Sequence, residues 1–146
     1  MNQLFNRPEE EFLEKNEFAR ICTVDPDGYP HCVRVEFVYD KGRLFIGSQS
    51  ARIWHRHLST NPKVAFETDR WEQMENRVFD YRGLLIKGEA QEIEDAVTKE
   101  EAMKLLREKE PGAPFGEHPI VIRIIPKKRY KWGPWMKVVN DPLQGT

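Results

Sequence analysis

G-R-L-F-I-G-S-Q-S-A-R-I-W-H-R-H-L-S-T-N-P-K-V-A-F, residues 42–66, contains a strand, a polar corner, a short basic helix and a second strand. The apolar run from Leu44 to Ile46 sits inside a strand over 43–47, which ends on the hydroxyls Ser48 and Ser50. Arg52 then opens a helix to about Leu58. Asn61-Pro62 closes it, because a residue before proline is pushed out of the helical region. Residues 64–68 read as the next strand. The corner suits an anion: unpaired backbone N–H groups at a helix start, two hydroxyls and a guanidinium converge there. A plainer reading also stands, in which Ser48 or Ser50 caps the helix.

Upstream, F-A-R-I-C-T-V (18–24) alternates apolar and polar side chains, as a half-buried strand does. Asp25-Pro26-Asp27-Gly28 is a strong turn, with proline pre-set for its second position and glycine free to take positive φ. In the following strand, 31–39, Val33, Val35, Phe37 and Tyr39 share one face. His31, Arg34, Glu36 and Val38 do not fit that face uniformly, which leaves a charged opposite face. Asp40-Lys41-Gly42 turns the chain into the third strand. At the start, Pro8 before Glu9, Glu10 and Glu11 predicts a helix over about 8–16.

Downstream, 69–80 is polar and shows no periodic element. A long fifth strand is expected over 81–94, with Gly83 and Gly88 as kinks or bulges. Thr98 with Glu101 forms a capping box for a helix to about residue 110 that presents Ala102, Leu105 and Leu106. Pro111-Gly112 stops it, and 119–125 is a sixth strand. Six antiparallel strands and three short helices predict a mainly β, closed or partly closed barrel. One domain is expected over 1–146: helix 8–16, barrel 18–132, tail 133–146.

The 146 residues are 39% apolar and 11% aromatic, enough for a folded core. Charge is balanced, 23 basic against 24 acidic residues, so no polyanionic partner is called for. The run P-K-K-R-Y-K-W-G-P-W (126–135) interleaves cations with aromatic rings, a pattern seen in nucleic-acid binding. Its shortness favours a solvated strand end that tucks Trp132 or Trp135 against the body, and no nucleic-acid partner is expected. The N-terminal stretch has no apolar signal region, and no apolar run reaches membrane-span length. A cytoplasmic protein without a membrane partner is expected.

The two cysteines are too few for a disulfide scaffold. Cys22 and Cys32 fall opposite each other across the first hairpin, and in a reducing compartment they are expected as half-buried core thiols. His55 and His57, two apart on a helix, point to different faces and make poor joint metal ligands, so no metal site is expected. No nucleophile elbow, Walker loop or dinucleotide glycine pattern appears, and no catalytic residue is assigned.

With these elements placed, the chain resembles the pyridoxamine 5'-phosphate oxidase-like family of split barrels that bind FMN or a related deazaflavin. The resemblance rests on A-R-I-C-T-V-D-P-D-G-Y-P-H (19–31), L-F-I-G-S-Q-S-A-R (44–52), H-L-S-T-N-P-K-V-A-F (57–66), G-L-L-I-K-G-E-A-Q-E-I-E-D (83–95) and V-I-R-I-I-P-K-K (121–128). It implies a six-stranded antiparallel split barrel of the FMN-binding type, in a homodimer with flavin sites at the subunit interface. Ser48, Ser50 and Arg52 would take the phosphate. The ring would lie along Val33, Arg34, Val35 and Glu36, with Ile46 and Gly47 lining the same pocket. Ile53 and Trp54 stand where many members carry a second cation, which His31 or Arg34 would then supply.

The implied activity is FMN-dependent two-electron redox of a small molecule, with NAD(P)H or another electron donor. The C-terminal end, 131–146, lacks the arginine-rich ending associated with pyridoxamine-phosphate oxidase itself. Three alternatives stay open. One is a deazaflavin-dependent reductase with Arg52, Arg56 and Lys63 along a wider groove. A second is a haem-binding relative with an axial ligand among His31, His55, His57 and His118. The last is a non-catalytic flavin-binding sensor.

Overall fold

The computed structural model describes residues 4–49, 51–73 and 79–135. Helix α1 (Arg7–Lys15) starts at a capping box: the Asn6 side chain accepts from the Glu9 N–H, and the Glu9 carboxylate accepts from the Asn6 N–H. Strands β1 (Phe18–Val24) and β2 (Pro30–Asp40) form the first hairpin, with Gly28 at φ 90° in its turn. β3 (Arg43–Ser48) pairs with β2, and the short helix α2 (Ile53–His57) follows. β4 (Lys63–Gln73), β5 (Phe79–Glu92), helix α3 (Ala96–Lys109) and β6 (Ile120–Trp132) complete the described elements.

The strands close into an antiparallel barrel in the order β1-β2-β3-β6-β5-β4, with β4 returning to β1 through Ile21↔Phe66. Alternation along the strands sends Ile21, Phe37, Ile46, Phe66, Leu84, Ile86, Ile122 and Ile124 into the interior. Phe37 and Phe66 meet edge to face, with ring centroids 5.1 Å apart. α1 adds Phe12 and Leu13 to this core. Outside the barrel, Ala102, Met103 and Leu106 of α3 pack on Val38, Phe45 and Val121. β2, β3 and β6 are therefore covered on both faces at that level, each buried large side chain contributing about 2 kcal/mol.

Several boundaries differ from the sequence-based expectation. β4 continues past residue 68 to Gln73, and β5 starts at Phe79, in a stretch without apolar periodicity. Ion pairs support that extension: Arg70 Nε lies 3.0 Å from the Asp80 carboxylate, which accepts a hydrogen bond from Arg82 Nε at 2.7 Å. α3 starts earlier, capped by the Asp95 carboxylate, which accepts from the Thr98 N–H. Met103 is buried in place of Leu105, which is only partly covered. β6 runs through the basic-aromatic segment to Trp132, because β5 pairs with it as far as Gly83↔Trp132. Trp132 remains 43% exposed, whereas Trp135 stacks against Phe12 at 4.7 Å. The tail beyond residue 135 lies outside the described residues.

The bulge expected at Gly88 is present, as a register shift between Lys87 and Gly88. A Cβ there would lie 2.1 Å from the Ile125 carbonyl oxygen, a backbone atom that cannot swing aside. Gly88→Ala should therefore destabilise the fold by about 3 kcal/mol, as overpacking does. Urea unfolding checks this, and a midpoint equal to that of the parent would refute it. No helix among the described residues is long and apolar enough to cross a membrane.

Candidate functional site

A cavity of about 700 Å³ opens where the outer part of β2 meets the β3–α2 corner. One wall is β2, with His31, Val33, Arg34, Val35 and Glu36. The second is the corner, with Gly47, Ser48, Gln49, Ala51, Arg52 and Ile53, joined by Trp54 and Arg56 of α2. The third is the loop after α3, with Ala113, Pro114 and Phe115. Gly47 makes the third wall possible. A Cβ there would stand 2.8 Å from Leu106 Cδ1 and 2.9 Å from Phe115 Cε1, so glycine lets α3 and this loop pack on β3 without displacing those side chains.

The site residues named from sequence fall in different places. His31, Val33, Arg34, Val35, Glu36, Gly47, Ser48, Arg52 and Ile53 all line this one cavity. Ile46 does not reach it. As the neighbour of Gly47 on a strand it points to the opposite face, and it is sealed in the barrel core. Ser50 lies outside the described residues. The N-cap of α2 is Arg52, in extended conformation (φ −104°, ψ 171°), and no side chain caps the helix there. Arg52, rather than Ser48, holds the N-cap position.

The electrostatics of the corner are positive. Arg52 and Arg56 are exposed, lie four apart on one turn, and have no ion-pair partner among the described residues. The Arg34 guanidinium stacks over the Phe18 ring at 4.5 Å. Trp54 is buried in the barrel cluster, so its bulk anchors α2 as well as closing the cavity floor.

Two other histidines have partners elsewhere. His57 Nδ1 shares a buried hydrogen bond with Thr23 Oγ1 at 2.8 Å, and His55 Nε2 meets Glu92 Oε1 at 2.6 Å. The His31 ring lies edge-on to His57, centroids 5.3 Å apart. Among the described residues no three His, Cys, Asp or Glu side chains converge as a metal site would require.

Sequence reasoning missed the loop wall. Its only signal was the apolar A-P-F at 113–115, directly after the helix stop and belonging to no strand. Gln49 and Ala51 were passed over as corner spacers. Arg56 was named only for a wider groove, although its spacing of four from Arg52 already placed both on one helix face. Chemically, the cavity joins an apolar slot for a flat ring to a cationic end for an acid group.

Comparison with known proteins agrees with this architecture. The profile of the family described as pyridoxamine 5'-phosphate oxidase matches residues 8–131. No curated protein matches the chain in sequence. Among solved structures, a conserved hypothetical protein from Mycobacterium tuberculosis superposes with a TM-score of 0.71 at 15% identity, covering 90% of this chain and 88% of that one. An FAD-binding protein from Mesorhizobium loti gives 0.65 at 18% identity, over 83% and 87%. A candidate pyridoxamine 5'-phosphate oxidase from Corynebacterium glutamicum gives 0.64 at 20% identity, over 90% and 94%. At these identities the likeness is one of fold.

Proposed function

Because this chain belongs to the pyridoxamine 5'-phosphate oxidase family, we propose that it is an FMN-binding oxidoreductase acting on a small molecule. The observation that carries this reading is the cavity, in which an apolar wall runs into two guanidinium groups without carboxylate partners among the described residues. The residues fit the group. Arg52 and Arg56, with Ser48, form the donor set for a phosphate. The β2 segment from Val33 to Glu36 and the Pro114–Phe115 loop line the space that a flat ring would occupy. About 700 Å³ is within the range of cofactor pockets. The FAD-binding structural relative supports a flavin as the ligand class.

A bound flavin itself supplies the hydride and electron-pair chemistry. The chain binds the phosphate, holds the ring against β2 and keeps water from one of its faces. Arg34, fixed on Phe18, would place positive charge beside a flavin held there and stabilise negative charge on it. NAD(P)H or a comparable small donor would supply the electrons. The assembly is a homodimer in this reading. Tyr130 and Trp132, 47% and 43% exposed along β6, are the aromatic surface that a second copy would cover.

The test is an absorbance spectrum after incubation with FMN and desalting. Retained flavin at about one per chain is the expected result, followed by NAD(P)H oxidation assays. Retention of a deazaflavin or haem in place of FMN, or of no chromophore at all, would overturn the proposal.

A further inference from the structure

The first hairpin places both cysteines of the chain side by side. Cys22 and Cys32 are direct partners in the β1–β2 register. The Asp25 N–H donates to the Tyr29 carbonyl at 2.9 Å, which fixes the alternation of the ladder. Counting inward, 23/31 is a hydrogen-bonded pair, while 24/30 and 22/32 are non-bonded pairs. This phase also accommodates Pro30, which has no N–H to give. In a non-bonded pair the Cα atoms approach to about 4.5 Å, within the span that a disulfide bridges. The two sulfurs are in contact, 2.7 Å apart.

The expected core position is not what is found. Ile21 and Val33 take the inward positions, and strand alternation turns Cys22 and Cys32 to the outer face, half-buried and exposed respectively. The charges nearest Cys22 are of both signs, Glu67 and Arg20 both acting on its thiol. Cys22 lines a second cavity, of about 720 Å³, together with Lys63, Lys87, Lys127 and Lys128, against one acid, Glu89. Partly exposed thiols in electropositive settings are the reactive ones.

We propose that Cys22 and Cys32 form a reversible thiol–disulfide site, oxidised by hydroperoxides and reset by dithiols. This does not rest on the flavin reading. Cys32 is the more exposed of the two and reacts first, while burial and the neighbouring Cys32 sulfur push the Cys22 thiol up to about 12, so Cys22 keeps its proton at neutral pH. The Cys32 thiolate attacks one peroxide oxygen and the O–O bond breaks. The departing oxygen leaves as water or an alcohol, and Cys32 becomes a sulfenic acid. The Cys22 sulfur then attacks the Cys32 sulfur. The S–S bond forms, the S–O bond breaks, and the hydroxyl leaves as water with the Cys22 proton. Two thiols lose two protons and two electrons, and the hydroperoxide takes them.

The experiment treats the full chain with equimolar hydrogen peroxide, then alkylates and maps peptides without reduction. Both thiols should disappear together, the mass should fall by two hydrogens, and the peptides holding Cys22 and Cys32 should be linked, all reversed by dithiothreitol. In Cys22→Ser, dimedone should trap a sulfenic acid at Cys32. In Cys32→Ser, Cys22 should react at least about tenfold more slowly. Sulfinic acid at Cys32 with Cys22 still alkylatable, links only between chains, or two unreacted thiols would each overturn the proposal. The parent map decides by itself if a variant fails to fold.

Discussion

Arg52→Ala should weaken FMN binding by about 10- to 100-fold and leave riboflavin binding nearly unchanged. A hydrogen bond to a charged group is worth about 1.5–3 kcal/mol, which converts to a loss of that size. Riboflavin carries the same ring without the phosphate, so the ratio of the two losses isolates the corner from the ring wall. Folding should be unaffected, because the Arg52 side chain is exposed and caps nothing. Arg56→Ala should give a smaller loss, and the double variant less than the sum, since both guanidinium groups would act on one phosphate. Fluorescence quenching titrations of the two ligands, at fixed ionic strength, provide the comparison. If FMN and riboflavin weaken equally, the phosphate is not held at this corner. If neither weakens, the donor set is wrong altogether.

What was legible in the sequence was whatever local periodicity and turn chemistry encode. Phe18 to Val24 alternates in and out, Asp25-Pro26-Asp27-Gly28 turns, and the structure follows both. The ends of β4 and β5 were not legible, because backbone pairing and the Arg70–Asp80–Arg82 ion pairs hold them there. The same is true of β6 beyond Pro126, where pairing to β5 carries a strand through basic and aromatic residues. Strand order is a long-range property. No local pattern says that β6 inserts between β3 and β5.

The candidate site divides in a similar way. The corner was readable since strand, hydroxyl, guanidinium and helix occur in sequence there. The wall from residues 113–115 was not, because it reaches the corner only through the packing of α3 on β3, which Gly47 permits. Ile46 and the cysteines share one lesson. On a strand, parity decides what a side chain meets, and apolar character alone does not. Ile46 turns inward from the cavity, while Cys22 and Cys32 turn outward from the core.

Parity also explains the second large expected effect, a loss of about 2–3 kcal/mol in Glu9→Gln. Arg129 pairs with Ile86 and Lys131 with Leu84, both interior positions, so these two cations turn toward the barrel end that α1 covers. There Glu9 is fully buried, accepting from Arg129 Nε at 2.9 and 2.8 Å and meeting Lys131 Nζ at 3.1 Å. Burial alone would raise its pKa, but hydrogen bonds from Arg129, the Asn6 backbone and Lys131 outweigh it and hold the carboxyl below the usual 4.5. The sign follows. Below that ordinary value the unfolded chain binds the proton that the folded one refuses, so the contribution is complete above it and fades on acidification. Glutamine keeps the shape and the Asn6 contact but removes the charge. Arg129 and Lys131, each about one-third exposed, can then turn to water, which keeps the cost below that of a fully buried pair. At neutral pH the melting temperature should fall by roughly 5–10 °C. Toward acid pH the gap between parent and variant should narrow, because protonation removes from the parent what the substitution has already removed. A variant that melts with the parent at neutral pH, or a gap that widens in acid, would show that α1 is held to β6 by its apolar face alone.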